Sequence, residues 1–372
     1  MKRMVLGAWV LIGLAACDDP TRPSEPSTRT PAAAVPVVQQ QFIVRSLGTL
    51  SGTFSGANGI NELGEVAGFA ELPSGEVRAV LWRAGEGMRS LGSLGGAVSR
   101  ARGINDRSEV VGFSQIRPGS DVIRAFLWSQ AGGMHSLGTL GGKNSFASVI
   151  NNRREVSGAS EIRNGNLQAF LWRPGHGMQS LRTLGGENSE AFDLNDATQV
   201  VGGSETADGT MHAFLWTAAR GMEDLGTLGG PTSRAGGISQ TGVVVGSSET
   251  AAGTVEAFLW TRAGGMRSLG SLGDPGVFAT GINTHRRVVG ITFPGTDVVD
   301  LPFLWTPGGG IRHLPTLGGP NGQAQDLNEF GQIVGTTWTA GNAIRATLWT
   351  PTDGPLAVAP RDEGAAAEAA AP

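Results

Sequence analysis

The chain has one cysteine, Cys17, no tyrosine, and only two lysines, Lys2 and Lys143, among its 372 residues. A single thiol excludes an internal disulfide and a thiolate metal site, and leaves no cysteine for catalysis. Charged residues make up 16% of the chain, against about 25% in average globular proteins. With 28 basic and 32 acidic residues and no Lys/Arg cluster, the electrostatic footprint that a phosphate backbone requires is missing, which argues against nucleic acid as a partner. Beyond the N-terminal stretch Met4 to Leu14 there is no membrane-like apolar run.

What is abundant is glycine, 59 residues, about twice the usual share. So much glycine requires many turns and disfavours helix bundles, because each helical glycine costs about 1 kcal/mol relative to alanine. Hydrophobic residues are still 40% of the chain and tryptophans number nine, enough to bury a large core, so wholesale disorder is excluded. The glycines lack the triplet period of collagen. An all-β fold remains.

Lys2 and Arg3 precede the apolar run, which ends in Leu14-Ala15-Ala16-Cys17. A charged start, a short apolar stretch and small residues before a cut site make an export signal. With cysteine in the last place, the segment resembles the bacterial lipoprotein signal. That resemblance implies removal of residues 1–16 and acylation of Cys17, whose lipid makes the membrane a partner. Loss of Lys2 and Arg3 leaves 26 basic and 32 acidic residues, a net charge of −6. Residues 17–41 carry Pro20, Pro23, Pro26, Pro31 and Pro36 among serines and threonines and read as a disordered tether. Residues 359–372 read as a disordered Ala/Pro tail. The expected address is the cell envelope, on the periplasmic or the surface-exposed side of a bacterial membrane.

Residues 42–358 are repetitive. Tryptophans 82, 128, 172, 216, 260, 305 and 349 follow one another at intervals of 46, 44, 44, 44, 45 and 44 residues, each ending a phrase like Phe214-Leu215-Trp216. A second phrase, Leu-Gly-Thr/Ser-Leu with variants, begins at Leu47, Leu91, Leu137, Leu181, Leu225, Leu269 and Leu314. Within the copy around Ser189 to Leu228, apolar pieces at Ala191–Leu194, Gln199–Ser204, Met211–Trp216 and Met222–Leu228 are separated by turn residues. The first turn begins with asparagine in six copies and with Ser239 in the other; some copies carry glycine where a left-handed residue is wanted. The second carries Asp208-Gly209, a tight-hairpin signal. In His212-Ala213-Phe214-Leu215-Trp216 both alternating faces are apolar, as in a sheet covered on both sides. Glycines 112, 158, 202, 246, 290 and 335 recur in the second strand, where we expect a neighbouring sheet to approach closely.

Four-stranded units of about 44 residues, each packed between two others, fit a seven-bladed β-propeller. The last copy lacks a good fourth strand, and an unmatched copy stands at Phe42 to Leu50, so the N-terminal strand is expected to close the ring; Leu356 to Val358 is the other candidate for that edge. An open β-solenoid is the alternative architecture, and it would need capping elements that the sequence does not offer. The phrase His212-Ala213-Phe214, after Val200-Val201-Gly202 and before Leu225-Gly226-Thr227-Leu228, resembles the HAF repeat of bacterial extracellular proteins over residues 42–350. The resemblance implies an exported location and brings no established activity.

No recurring chemistry accompanies the repeats. The five histidines, 135, 176, 212, 285 and 313, fall at different places in their units, and there is no paired-His or Asp-rich metal motif, nucleophile elbow or phosphate loop, so no cofactor and no metal is expected. Sialidase-like propellers depend on a tyrosine, which is absent, and the docking phrase of quinoprotein propellers is missing. The tryptophans read as packing. One position early in the first strand does vary, reading Gly56, Arg100, Phe146, Glu190, Arg234, Phe278 and Gln323. A varied ring at one mouth of the channel is where a site can be individualised, whereas plain solvent exposure is its bland counterpart. The reading is a monomeric, lipid-anchored, non-catalytic scaffold for a glycan, peptide or envelope protein. The alternative is a glycan-acting hydrolase or lyase, for which two acids converging at the channel are required, with Glu190, Asp193 and Asp326 as candidates.

Overall fold

The computed structural model describes residues 41–293 and 300–352. Cys17, the signal segment, the tether, Leu356 to Val358 and the tail lie outside the described residues. Among the described residues every regular element is a β-strand, and there is no helix.

The copy around Ser189 illustrates the unit. Strands Gly185–Leu194, Val200–Thr206, Met211–Thr217 and Gly221–Asp224 pair in that order, all antiparallel. The same order recurs in successive copies, and two of them join into one eight-stranded sheet through a single parallel pairing of Val255 with Gly276. The final sheet takes its outer strand from the other end of the chain: Phe42–Ser46 runs antiparallel to Ile344–Pro351, with Val44 opposite Trp349. We number the units one to seven by their first strands, which begin at Ser55, Ser99, Gly141, Gly185, Gly229, Gly276 and Gly318.

The core lies between neighbouring sheets. Ala213 and Leu215 of unit four pack with Ala235, Ile238, Val244 and Phe258 of unit five. Phe214 turns the other way, onto Ala169, Leu171 and Leu181 of unit three, with Trp216 against the same group. Each fully buried phenylalanine contributes about 2–3 kcal/mol by its removal from water, and Phe126, Phe170, Phe214, Phe258 and Phe303 are all fully buried. The last sheet meets the first in the same manner, since Val334, Ala346 and Leu348 cluster with Ala57, Ile60, Val66 and Trp82.

Two details differ from the sequence reading. The Leu-Gly-Thr-Leu phrase is not one strand. Leu225 is buried and still donates its N–H to the Ala213 carbonyl, but Gly226 has φ 74° and turns the chain away, so Gly229 opens the next unit's first strand. The second-strand glycines face no neighbouring sheet. A Cβ on Gly112, Gly158, Gly202, Gly246 or Gly335 would overlap a carbonyl oxygen of the first strand in the same sheet (Glu190 O above Gly202, for instance). The first strand bulges there, between Ala191 and Asp193 in unit four, which presses its backbone onto the glycine.

The first turn in each unit places its fourth residue in the left-handed region, at Gly64, Ser108, Arg154, Thr198, Gly242, Arg286 and Gly331. Asparagine at the first place makes this conformation affordable. The Asn61 Oδ1 accepts from the N–H groups of Leu63 and Glu65, while its Nδ2 donates to the Asn105 carbonyl of unit two at 3.0 Å. The same amide link runs from Asn105 to Asn151, Asn151 to Asn195, Asn195 to Ser239, Asn283 to Asn328, and Asn328 to Asn61.

Candidate functional site

The first strands of adjacent units touch, and the first strand of unit seven touches that of unit one. Along each of them one residue is the same in all seven units: Ala57, Ala101, Ala147, Ala191, Ala235, Ala279 and Ala324, all buried. The residue before it points to the other side of the strand and is the one that varies. Arg100, Phe146, Glu190, Phe278 and Gln323 are half-buried there, and Arg234 is exposed.

Charges carried by units that are not neighbours feel one another. Arg102 of unit two acts on Glu190 of unit four, and Asp193 of unit four acts on Asp326 of unit seven. These side chains therefore face a common space between the first strands, the channel of the sequence reading.

Most of the ring is propped by rings or polar partners from the second strands and nearby loops. The Arg100 guanidinium lies over the Phe69 ring at 4.3 Å, and that of Arg102 over Phe113 at 5.6 Å. Phe113 in turn meets Phe146 edge to face at 5.5 Å, and Phe278 meets Phe293 in the same way at 5.2 Å. Gln323 Nε2 donates to Asp300 Oδ2 at 2.5 Å. Glu190 pairs in the ladder with Gly203, and the space this glycine leaves is filled by Met211 and by the aliphatic stem of Arg234. Together Glu190, Phe192, Gly203, Met211 and Arg234 line a small cleft between units four and five.

The electrostatics follow from enclosure. Burial pushes the Glu190 carboxyl up, against the pull of Arg102 and Arg234. Burial pushes the Arg100 and Arg102 guanidinium groups down; for Arg100 the neighbouring Arg102 charge adds to this, and for Arg102 Glu190 opposes it. Arg102 is exposed to solvent yet surrounded by protein, as a side chain standing in a channel must be.

Deeper along the strands, at the bulge, stand Asp193 and Asp326, in positions where four other units have glycine. Burial raises them to about 6 and about 7, with the Asp193 charge adding to the effect on Asp326. Backbone donors oppose the shift. Asp193 accepts from Ile238 N–H at 2.7 Å and Leu194 N–H at 2.8 Å, and Asp326 from Ile60 N–H at 3.0 Å and Leu327 N–H at 2.8 Å. Beyond them Glu62 is raised to about 7 by burial and by the charges of Glu329 and Asp106.

The sequence-selected ring residues thus share one level of the first strands, and Glu190 and Arg234 share a cleft, while Phe278 and Gln323 are engaged with residues of unit six. Arg102 was missed. Its position, two residues beyond the ring, reads Asn58, Arg102, Ser148, Phe192, Gly236, Thr280 and Gln325; in unit two it is the extra residue of the bulge between Ala101 and Gly103, which a pattern read along one strand does not reveal. Among the described residues no three His, Cys, Asp or Glu side chains gather so as to hold a metal ion.

No family model matches the chain, and no curated protein matches it in sequence. Solved structures do resemble it. A puromycin hydrolase mutant complexed with PGG superposes with a TM-score of 0.54 at 14% identity, over 80% of this chain and 54% of that one. TolB from Acinetobacter baumannii gives 0.46 at 14% identity over 68% of this chain and 63% of its own, and the BP39L lectin from Burkholderia pseudomallei 0.48 at 10% over 84% and 100%. The chain thus spans less than two thirds of the first two. The likeness concerns fold alone, that of an all-β repeat protein of the β-propeller kind.

Proposed function

We propose that the chain is a closed seven-bladed β-propeller, held at the bacterial envelope by a lipid on Cys17, and that it is a non-catalytic binding scaffold of the HAF-repeat kind. Closure is supported by the pairing of Phe42–Ser46 with Ile344–Pro351 and by the Asn328 amide on the Asn61 carbonyl. The address and the lipid rest on the sequence of residues 1–17.

The observation that carries binding is the contrast between the two sides of the first strand. The side that packs repeats the same alanine seven times, while the side facing the channel carries glycine in unit one and arginine, phenylalanine, glutamate or glutamine in the others. Packing does not require that variety, and a channel-facing set of charged and aromatic groups is what a ligand reads. The expected ligand is a glycan, a peptide or an envelope protein, met by a monomer. The test is a glycan and peptide array probed with the wild type and with the combined Arg100→Ala, Glu190→Ala and Arg234→Ala variant. Ligands lost by the variant support the reading, and an unchanged set of ligands sinks it.

A hydrolase or lyase is favoured by one observation, the two channel-facing acids Asp193 and Asp326 with carboxyls near neutrality. Both of their carboxylates, however, hold backbone N–H groups of the next strand, which is a structural task. Cleavage of an envelope polysaccharide that Asp193→Asn abolishes without unfolding the protein would establish the enzyme instead.

A further inference from the structure

We propose that the channel binds an oxoanion group, a carboxylate or a phosphate on a small polar molecule, at Arg100 and Arg102 of unit two. This deepens the binding reading and rests on it. The first reason is geometric. Arg100 pairs with Phe113 across the ladder, and Arg102 is the extra residue of the bulge between Ala101 and Gly103; its guanidinium lies over that same Phe113, so the two side chains stand on one side of the sheet. Each guanidinium lies over a phenylalanine, Phe69 at 4.3 Å and Phe113 at 5.6 Å. A guanidinium held over a ring by this attraction is kept in place without spending its N–H groups on a protein acceptor. Such a fork is suited to the paired oxygens of a carboxylate or phosphate.

The second reason is the missing counter-charge. Arg78, Arg83, Arg154, Arg173 and Arg262 each meet a carboxylate within ion-pair distance. Neither Arg100, Arg102 nor Arg234 does so among the described residues. Two like charges instead sit side by side, each in a protein-enclosed setting that disfavours its charge. Of the acids, only Glu190 acts on Arg102, and it serves Arg234 as well. Two adjacent guanidinium groups, with one carboxylate shared with Arg234, leave this part of the channel short of negative charge. The acids Asp193 and Asp326 lie further along the strands and are engaged with backbone N–H groups. A ligand oxoanion supplies what the chain omits.

Phe146 and Phe192 stand at the same two levels in units three and four, so the anionic group would be met by arginine N–H groups while the rest of the molecule lies against aromatic surface. That combination describes a small polar molecule with a charged end and a less polar body.

The test is isothermal titration of the full folded chain with glucuronate, inorganic phosphate and glucose at low salt. Saturable binding of glucuronate or phosphate, at least tenfold tighter than glucose, is expected. Arg102→Gln is expected to weaken it by tenfold or more, and Arg267→Gln, on an outer strand, to leave it unchanged. Glucuronate alone binding identifies a carboxylate ligand, and phosphate alone a phosphate ligand. Equal binding of glucose, or equal affinity in Arg102→Gln, overturns the proposal. Arg102→Gln is also run on the array above. If it keeps every ligand that the triple variant loses, the anion site fails while the scaffold reading stands; if the triple variant loses none, the scaffold reading itself fails.

Discussion

The side-chain amide of Asn328 donates to the carbonyl oxygen of Asn61 at 3.2 Å, joining residues of the last and first units. Asn328 also accepts the Gln332 N–H on its Oδ1 and donates to the Gln332 side chain, so one residue holds its own turn and grips the next unit. Both ends of the amide are buried, and removing it strands partners that water cannot reach. Asn328→Ala is expected to cost about 2–4 kcal/mol, read as a lower urea midpoint. A loss below about 0.5 kcal/mol would refute this role.

The series of amide links stops at Ser239. Its hydroxyl accepts the Val243 N–H but does not reach the carbonyl of Asn283 in the next unit. Ser239→Asn is expected to add the missing link and raise stability by about 0.5–1.5 kcal/mol. Urea unfolding of the variant decides it, and a destabilised protein counts against the account.

Arg286 and Thr198 hold the same left-handed turn position, with φ 58° each. Thr198 Oγ1 donates to Glu155 of the preceding unit at 2.7 Å, which offsets its backbone strain, whereas the Arg286 side chain is exposed. Arg286→Gly is therefore expected to stabilise by roughly 0.5–1 kcal/mol and Thr198→Gly to destabilise by about 1 kcal/mol or more. Thermal melts of the two variants should move in opposite directions.

Burial raises Glu62, Asp193 and Asp326 in the folded protein to about 7, about 6 and about 7. A raised folded pKa means that the native state holds its protons more tightly than the unfolded chain. The resulting stability is full below about pH 4 and is lost as pH rises through 6 and 7. Stability should fall by roughly 6 kcal/mol from pH 5 to pH 8, and Asp326→Asn should flatten that slope. The carboxyls that are lowered instead, such as Glu65 and Asp208, titrate below this window and do not reverse it. A stability that rises with pH over the window would contradict the assignment.

Gly202 lies beneath the Glu190 carbonyl, with no room for a methyl group. Gly202→Ala must displace the bulge that also positions Asp193, and a loss above about 3 kcal/mol is expected, measured by chemical unfolding. An alanine variant of wild-type stability would mean that the first strand yields there.

Much of this fold was legible because the units repeat. The Phe-Leu-Trp phrase marked a strand buried on both faces, and Phe214 and Leu215 indeed serve opposite cores. The turn asparagines were visible as a recurrence, yet their bond to the following unit was not, because a spacing of 44 residues says nothing about which carbonyl an amide meets. The second-strand glycines were ascribed to a neighbouring sheet because a pattern read along one strand cannot reveal a bulge in its partner. The varied level at Arg100 and Glu190 could be read as a contrast with repetition, but Arg102 emerged only when its stacking on Phe113 was seen.

Strand Phe42–Ser46 pairs with Ile344–Pro351, some three hundred residues further along the sequence. Until Ile344–Pro351 is available its ladder groups lack that partner, and closing so long a loop carries an entropic cost. Forming this pair is a search between distant segments, slowed by the length of the loop it closes and open to a competing partner. A second copy arriving with its own free N-terminal strand is the natural competitor, so yield should depend on how far apart nascent chains are kept.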